Sequence, residues 1–283
     1  MKWGLFLAIF FLNSFVFAGE DSDIHSTCEW FSLNKKFAYC IHSQITSNNP
    51  DVIYYFHGAG GNEKEYLKKW KEFRAEWRAM GIPMPRVVSI NFGPIWILAE
   101  KNKKSTSSLF DYFIDGIMPF LETKMGGVTG RRLILSMSMG GFNATQLVMK
   151  KPELFDKVVL ACPAILPLSP FAKKEEVQEF LTRSGAKKSN IWWGMFMQRI
   201  FHKDKEDWDQ SNPLLLAKTK LGAQTPPLYI TCGDTDEFGF FEGSESFARL
   251  AQEARVPSMT WVRRTGKHCD RDNREVARFL QTP

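Results

Sequence analysis

Histidine is scarce in this chain of 283 residues: there are five, at positions 25, 42, 57, 202 and 268. Any histidine-dependent chemistry therefore has few places to sit. Cysteine is equally rare, with five residues, and the odd count leaves at least one thiol unpaired. Beyond the first eighteen residues no apolar run is long enough to cross a bilayer, so no stable membrane span is expected in the mature protein. Internal repeats, low-complexity tracts and heptads are missing, which excludes solenoids and long coiled coils. The net charge of +6 is spread along the chain without an Arg-rich arm, which argues against nucleic acid as a partner. What is present is ordinary globular material, 44% hydrophobic and 24% charged. Aromatic residues reach 14%, enough for a large core and an apolar pocket.

The N-terminus reads as an export signal. Lys2 supplies a positive start, Leu5–Leu12 an apolar stretch, and "VFA" ends in a small residue suited to cleavage after Ala18. No cysteine follows that point, which disfavours a lipid anchor; a retained membrane anchor is the alternative. The expectation is a protein exported to the periplasm or medium, with residues 1–18 as signal peptide. In such an oxidising compartment a Cys28–Cys40 disulfide is the natural local pairing. It would staple "CEWFSL" to "FAYCIH" across a hairpin turning at Asn34–Lys36.

Further on, apolar strand candidates alternate with segments of helical period. "DVIYYF", "RVVSINFG", "RRLILS", "KVVLACPAI", "PPLYITCG" and "SMTWVRRTG" read as strands. "NEKEYLKKWKEFRAEWRAMG", "SLFDYFIDGIMPFLETKMG" and "GGFNATQLVMKK" read as helices. This alternation predicts a single α/β domain over residues 19–283, with a mostly parallel twisted sheet, helices on both faces and the antiparallel hairpin at one edge. Residues 168–221 break the pattern as a helical insertion, placed where a lid would lie.

"LILSMSMGGFNATQLVM" carries two serines, and sterics separate them. A strand turning sharply into a helix pushes a serine above the sheet only if the residues two away on either side are small. Ser136 and Gly140 satisfy that demand around Ser138; centring on Ser136 would require Ile134 to be small. Ser138 is thus the candidate nucleophile. It needs a base, an acid that orients the base, and donors for an oxyanion. The glycine loop "HGAGG" follows an apolar strand upstream, so Gly58, Ala59 and Gly60, with the N–H of Met139, are candidate oxyanion donors. By position along the chain His268 alone suits the base, since it follows the last strand and precedes a terminal helix. The preceding strand ends in "CGDTDEFG"; Asp236 suits the acid, with Asp234 second and Glu237 also at hand.

With those residues in place, the chain resembles the α/β-hydrolase superfamily, and within it the esterase D-like family of S-formylglutathione hydrolases, feruloyl esterases and mycolyltransferases. The likeness rests on "YYFHGAGGNEKEY", "SMSMGGFNATQLVMKKPELFDKVVLACPAI", "SNPLLLA", "CGDTDEFGFFEGSESFARLAQEA" and "TGKHCDRDNREVARFL", which span nearly all of the mature chain. It implies the α/β-hydrolase fold and an esterase using Ser138, Asp236 and His268, with no cofactor and no metal. Two positions depart from the pattern. Ser136 stands where glycine is usual, and Met137 stands where tannases and feruloyl esterases carry a cysteine bridged to the one after the histidine. That bridge is therefore ruled out, leaving Cys269 free or paired with Cys232.

Within the insertion, Trp192, Trp193, Phe196, Met197, Ile200 and Phe201 fall at helical spacing. Such a stripe packs a core or lines an acyl site; under the second reading Trp192, Trp193 and Phe196 bind substrate. The partner expected is a small-molecule or envelope-derived ester. Acyl transfer through the same residues, or a non-catalytic binding protein that retains the fold, are the alternatives.

Overall fold

A computed structural model describes residues 23–32, 36–99 and 109–282. The expected signal peptide and residues 34–35 of the expected turn lie outside them. Eight strands form one mixed sheet: β1 (Ile24–Ser32), β2 (Lys36–Gln44), β3 (Val52–Phe56), β4 (Arg86–Asn91), β5 (Arg132–Met137), β6 (Lys157–Ala161), β7 (Leu228–Gly233) and β8 (Met259–Arg264). Their spatial order is β1-β2-β4-β3-β5-β6-β7-β8. β1 pairs antiparallel with β2, and β2 antiparallel with β4; every other pairing is parallel.

The central strands are buried along their whole length because helices cover both faces, which is why they read as unbroken apolar runs. Alternate residues go to opposite layers. Val52, Tyr54 and Phe56 of β3 join one core with Phe113, Leu147 and Phe247, whereas Ile53 and Tyr55 join the other with Trp70, Trp77 and Leu280. The edge strand β1 has no such cover, and Trp30 is exposed there. Cys28 sits directly opposite Cys40 in the β1–β2 register, with Cα atoms 4.1 Å apart and a disulfide between them.

Two helical segments differ from the expectation. The stretch after the glycine loop is two helices, Glu65–Lys69 and Lys71–Ala79, broken at Trp70, whose φ of −120° and ψ of 26° leave the helical region. The next expected helix opens at Leu109–Asp111, passes through a π-helical stretch at Tyr112–Ile117 and continues as Met118–Lys124. Between β6 and β7 lie the helices Lys174–Ser184, Lys188–Phe201, Lys205–Asp209 and Pro213–Lys220. No helix among the described residues is long and apolar enough to cross a membrane.

Candidate active site

β5 ends one residue before Ser138, and the helix Met139–Lys150 begins one residue after it. Ser138 takes φ 52°, ψ −119°, a conformation unfavourable for an L-residue and sustained only by its surroundings. Its N–H donates to Ala161 O at 3.0 Å, and its carbonyl accepts from Phe142 N at 3.1 Å and Ala164 N at 2.9 Å. Glycine at 140 is compulsory, because a Cβ there would stand 2.1 Å from Phe56 O. Ser136, in contrast, is fully buried and its Oγ donates to Val159 O at 2.5 Å. Of the two serines, only Ser138 reaches the cavity described below.

His268 comes from the loop between β8 and the terminal helix Asn273–Gln281. Its Nε2 lies 3.0 Å from Ser138 Oγ and its Nδ1 2.6 Å from Asp236 Oδ2. Gly233 lets that loop settle on the end of β7, since a Cβ there would meet Lys267 O at 2.1 Å. The backbone N–H of His268 donates to Glu237 Oε2 at 3.2 Å, and the rings of Phe238 and Phe240 flank the imidazole at 4.6 and 5.6 Å. Asp236 has no solvent-exposed side-chain surface, and its Oδ1 accepts from Phe238 N at 2.7 Å. Asp234 turns elsewhere: its Oδ1 accepts from Gly266 N and its Oδ2 pairs with Arg263 at 3.3 Å. The structure thus brings Ser138, His268 and Asp236 into one hydrogen-bonded row.

The other histidines serve elsewhere. His57 is fully buried; with the proton on Nδ1 it donates to Gly58 O at 2.7 Å, leaving Nε2 to accept from the Trp96 indole at 3.2 Å. It braces the glycine loop. Burial, reinforced by Arg74, pushes His42 down to about 3. Burial likewise lowers His202. His25 stays exposed on the edge strand β1.

The candidate oxyanion donors divide. Gly58 and Ala59 line the cavity together with Ser138 and Met139. Gly58 approaches so closely that a Cβ would lie 3.4 Å from Ser138 Cβ. Gly60 does not line it: at φ 78° its N–H turns to Pro94 O, 2.7 Å away. Gly60 is therefore set aside as a donor because its amide is already engaged.

Cys269 is neither free nor bonded to Cys232; it is joined to Cys162, with Cα atoms 5.0 Å apart. The sequence reading overlooked Cys162 because it lies just past β6, beside the elbow. There its φ of 45° turns the chain toward the His268 loop, where Cys269 has φ 63°. Cys232 is the free thiol. Cys162, His268 and Cys269 form the one metal-like cluster among the described residues, but its two sulfurs are bonded to each other.

Above the row lies a cavity of about 470 Å³, within the range of small-ligand sites. The helix Lys188–Phe201 forms one wall, but the expected stripe splits into separate rows. Trp193, Met197 and Phe201, each four residues from the next, line the cavity. Trp192 and Phe196 do not: they lie one position round the helix and point away from it, although Trp193 is itself as exposed as Trp192, 43% against 40%. Ile191 and Met195 form a third row, buried against Val177 and Phe180 of the neighbouring helix. Sequence reasoning missed other walls. Ile95 and Ile97 come from the segment after β4, held where Asn143 Oδ1 accepts from Leu98 N at 2.7 Å. Phe142, Phe238 and Phe240 add aromatic surface, and Glu65 and Lys69 form a polar corner.

Known proteins point the same way. The family model described as Putative esterase matches residues 33–273. No curated protein sequence matches the chain. Among solved structures, a ferulic acid esterase superposes with a TM-score of 0.64 at 17% identity, covering 91% of this chain and 94% of that one. An arylesterase gives 0.63 at 16% identity, covering 90% and 83% of the two chains. Brefeldin A esterase, a bacterial homologue of human hormone-sensitive lipase, gives 0.63 at 16%, covering 91% and 73%. At such identities the likeness carries the fold, which is that of the α/β-hydrolases. The match over residues 33–273 carries the family: the chain belongs to the Putative esterase family, and is a hydrolase of the carboxylesterase type.

Proposed function

We propose that the protein is an exported serine esterase, a single domain over residues 19–283, that cleaves its substrate through an acyl-enzyme on Ser138. The observation that carries this reading is the continuous row Ser138 Oγ–His268 Nε2 at 3.0 Å and His268 Nδ1–Asp236 Oδ2 at 2.6 Å, opening on an apolar cavity. His268 takes the proton of Ser138 as Oγ attacks the ester carbonyl. Asp236 fixes the imidazole tautomer and stabilises the imidazolium that forms. The N–H groups of Gly58, Ala59 and Met139 receive the developing oxyanion. His268 then protonates the departing alcohol, and a water activated by the same nitrogen releases the acid.

The wall of Trp193, Met197, Phe201, Phe142 and Phe240 suits an aromatic or medium-length apolar acyl group. Export is supported by the "VFA" signal and by two disulfides, which persist in oxidising compartments.

The test is a pair of single variants and their combination, assayed on a short chromogenic ester. Ser138→Ala and His268→Ala should each cost about 10⁴-fold or more in kcat, and the double variant little beyond either, as for groups acting as one unit. Additive losses would contradict the reading.

A further inference from the structure

Cys232, the penultimate residue of β7, is fully buried and belongs to neither disulfide. Its Sγ lies 3.4 Å from Asp236 Oδ2, the same oxygen that accepts from His268 Nδ1 at 2.6 Å. The other carboxylate oxygen is taken by Phe238 N. The Asp236 side chain has no solvent-exposed surface, so bulk water does not solvate it and each protein donor counts. Burial, then the charge of Asp236, push the Cys232 thiol up. It therefore stays protonated and meets the carboxylate as a donor. Ser244 lies beside the sulfur, but its own Oγ donates to Phe240 O at 2.8 Å.

We propose that Cys232 is a positioning residue for the esterase reaction: its S–H, donated to Asp236 Oδ2, holds the carboxylate against His268 and moderates the charge the imidazole meets. The proposal rests on the reading of Ser138, His268 and Asp236 as one catalytic unit. A thiol is a weak donor, so the effect is one of tuning. Removing it leaves more negative charge on Oδ2, which favours the imidazolium over the neutral ring that must take the serine proton.

The other charged groups near the row come from four directions. Glu237 accepts the His268 N–H, Asp234 is paired with Arg263, Asp270 packs against Gly266 of the histidine loop, and Glu65 and Lys69 lie across the cavity. Among the described residues none of them hydrogen-bonds to the Asp236 carboxylate, so Cys232 can be varied without disturbing their contacts.

The experiment measures kcat and KM against pH for wild type, Cys232→Ala, Cys232→Ser and Asp236→Asn on a short soluble ester, with thermal melts alongside. Alanine and serine differ here only by a hydroxyl donor. Cys232→Ala should move the acidic limb of kcat/KM up by about half a pH unit and lower kcat a few-fold with KM nearly unchanged. Cys232→Ser should hold the limb at or below its wild-type position. If the alanine variant does not fold, Cys232→Val against Cys232→Thr makes the same comparison at equal volume. An unmoved limb in Cys232→Ala, or equal upward shifts with and without the hydroxyl, overturns the proposal. A severe loss in Asp236→Asn beside a silent Cys232→Ala defeats this inference alone; an active Asp236→Asn defeats the catalytic unit itself.

Discussion

Adding one methyl group at Gly140 perturbs the site most economically. An alanine Cβ would stand 2.1 Å from Phe56 O, 2.5 Å from Phe56 C and 2.8 Å from Phe56 Cβ. Two of these are backbone atoms of a central strand that pairs on both sides, so no flexible side chain can move aside. Comfortable non-bonded contact begins near 3.5 Å, so the N-terminus of the helix Met139–Lys150 must retreat by about 1 Å. Overpacking of this kind costs about 1–3 kcal/mol of stability. The retreat also carries off the Met139 N–H and the elbow that aims Ser138, and a misplacement near 1 Å can cost about 10²-fold in rate. Gly140→Ala should thus lose about two orders of magnitude in kcat while still folding, as read by ester turnover beside urea denaturation. Wild-type turnover in a folded Gly140→Ala protein would refute the steric account of the elbow.

Trp193→Ala should shift acyl-chain preference on a panel of chromogenic esters, whereas Trp192→Ala, one position round the helix, should leave it unchanged; equal effects would count against the division of the stripe. Opening the Cys28–Cys40 bridge with paired serines should cost about 3 kcal/mol in denaturant titrations, with kcat preserved because the pair lies at the sheet edge. His42 is held neutral in the fold at about 3, below its ordinary 6.5, so protonation favours the unfolded chain. Stability should fall through that window as the pH drops from 6.5 toward 3, by roughly 1.4 kcal/mol per unit from this group. His42→Gln should flatten that slope, and an unchanged slope would contradict the assignment.

The strands were legible because β3, β6 and β7 are buried on both faces and their residues must be apolar throughout. The elbow was legible because its constraint is local: the space around Ser138 is set by residues two positions away. Other features depend on partners far along the chain. Ile95 and Ile97 face the cavity only because Asn143 captures the backbone of Trp96 and Leu98, and no spacing rule announces that. The aromatic stripe was seen, but at 100° per residue its members fall into rows with different neighbours, and composition cannot say which row meets the cavity. The partner of Cys269 was missed for a similar reason, since β6 and the histidine loop meet only once the sheet is assembled. Gly60 looked like an oxyanion donor until the fold brought Pro94 O within reach of its N–H.

The most direct test is to label the protein with a fluorophosphonate and map the adduct by mass spectrometry. Modification of Ser138 alone, abolished in Ser138→Ala and suppressed in His268→Ala, is the predicted result. An adduct on Ser136, or ester turnover undiminished in Ser138→Ala, would contradict it.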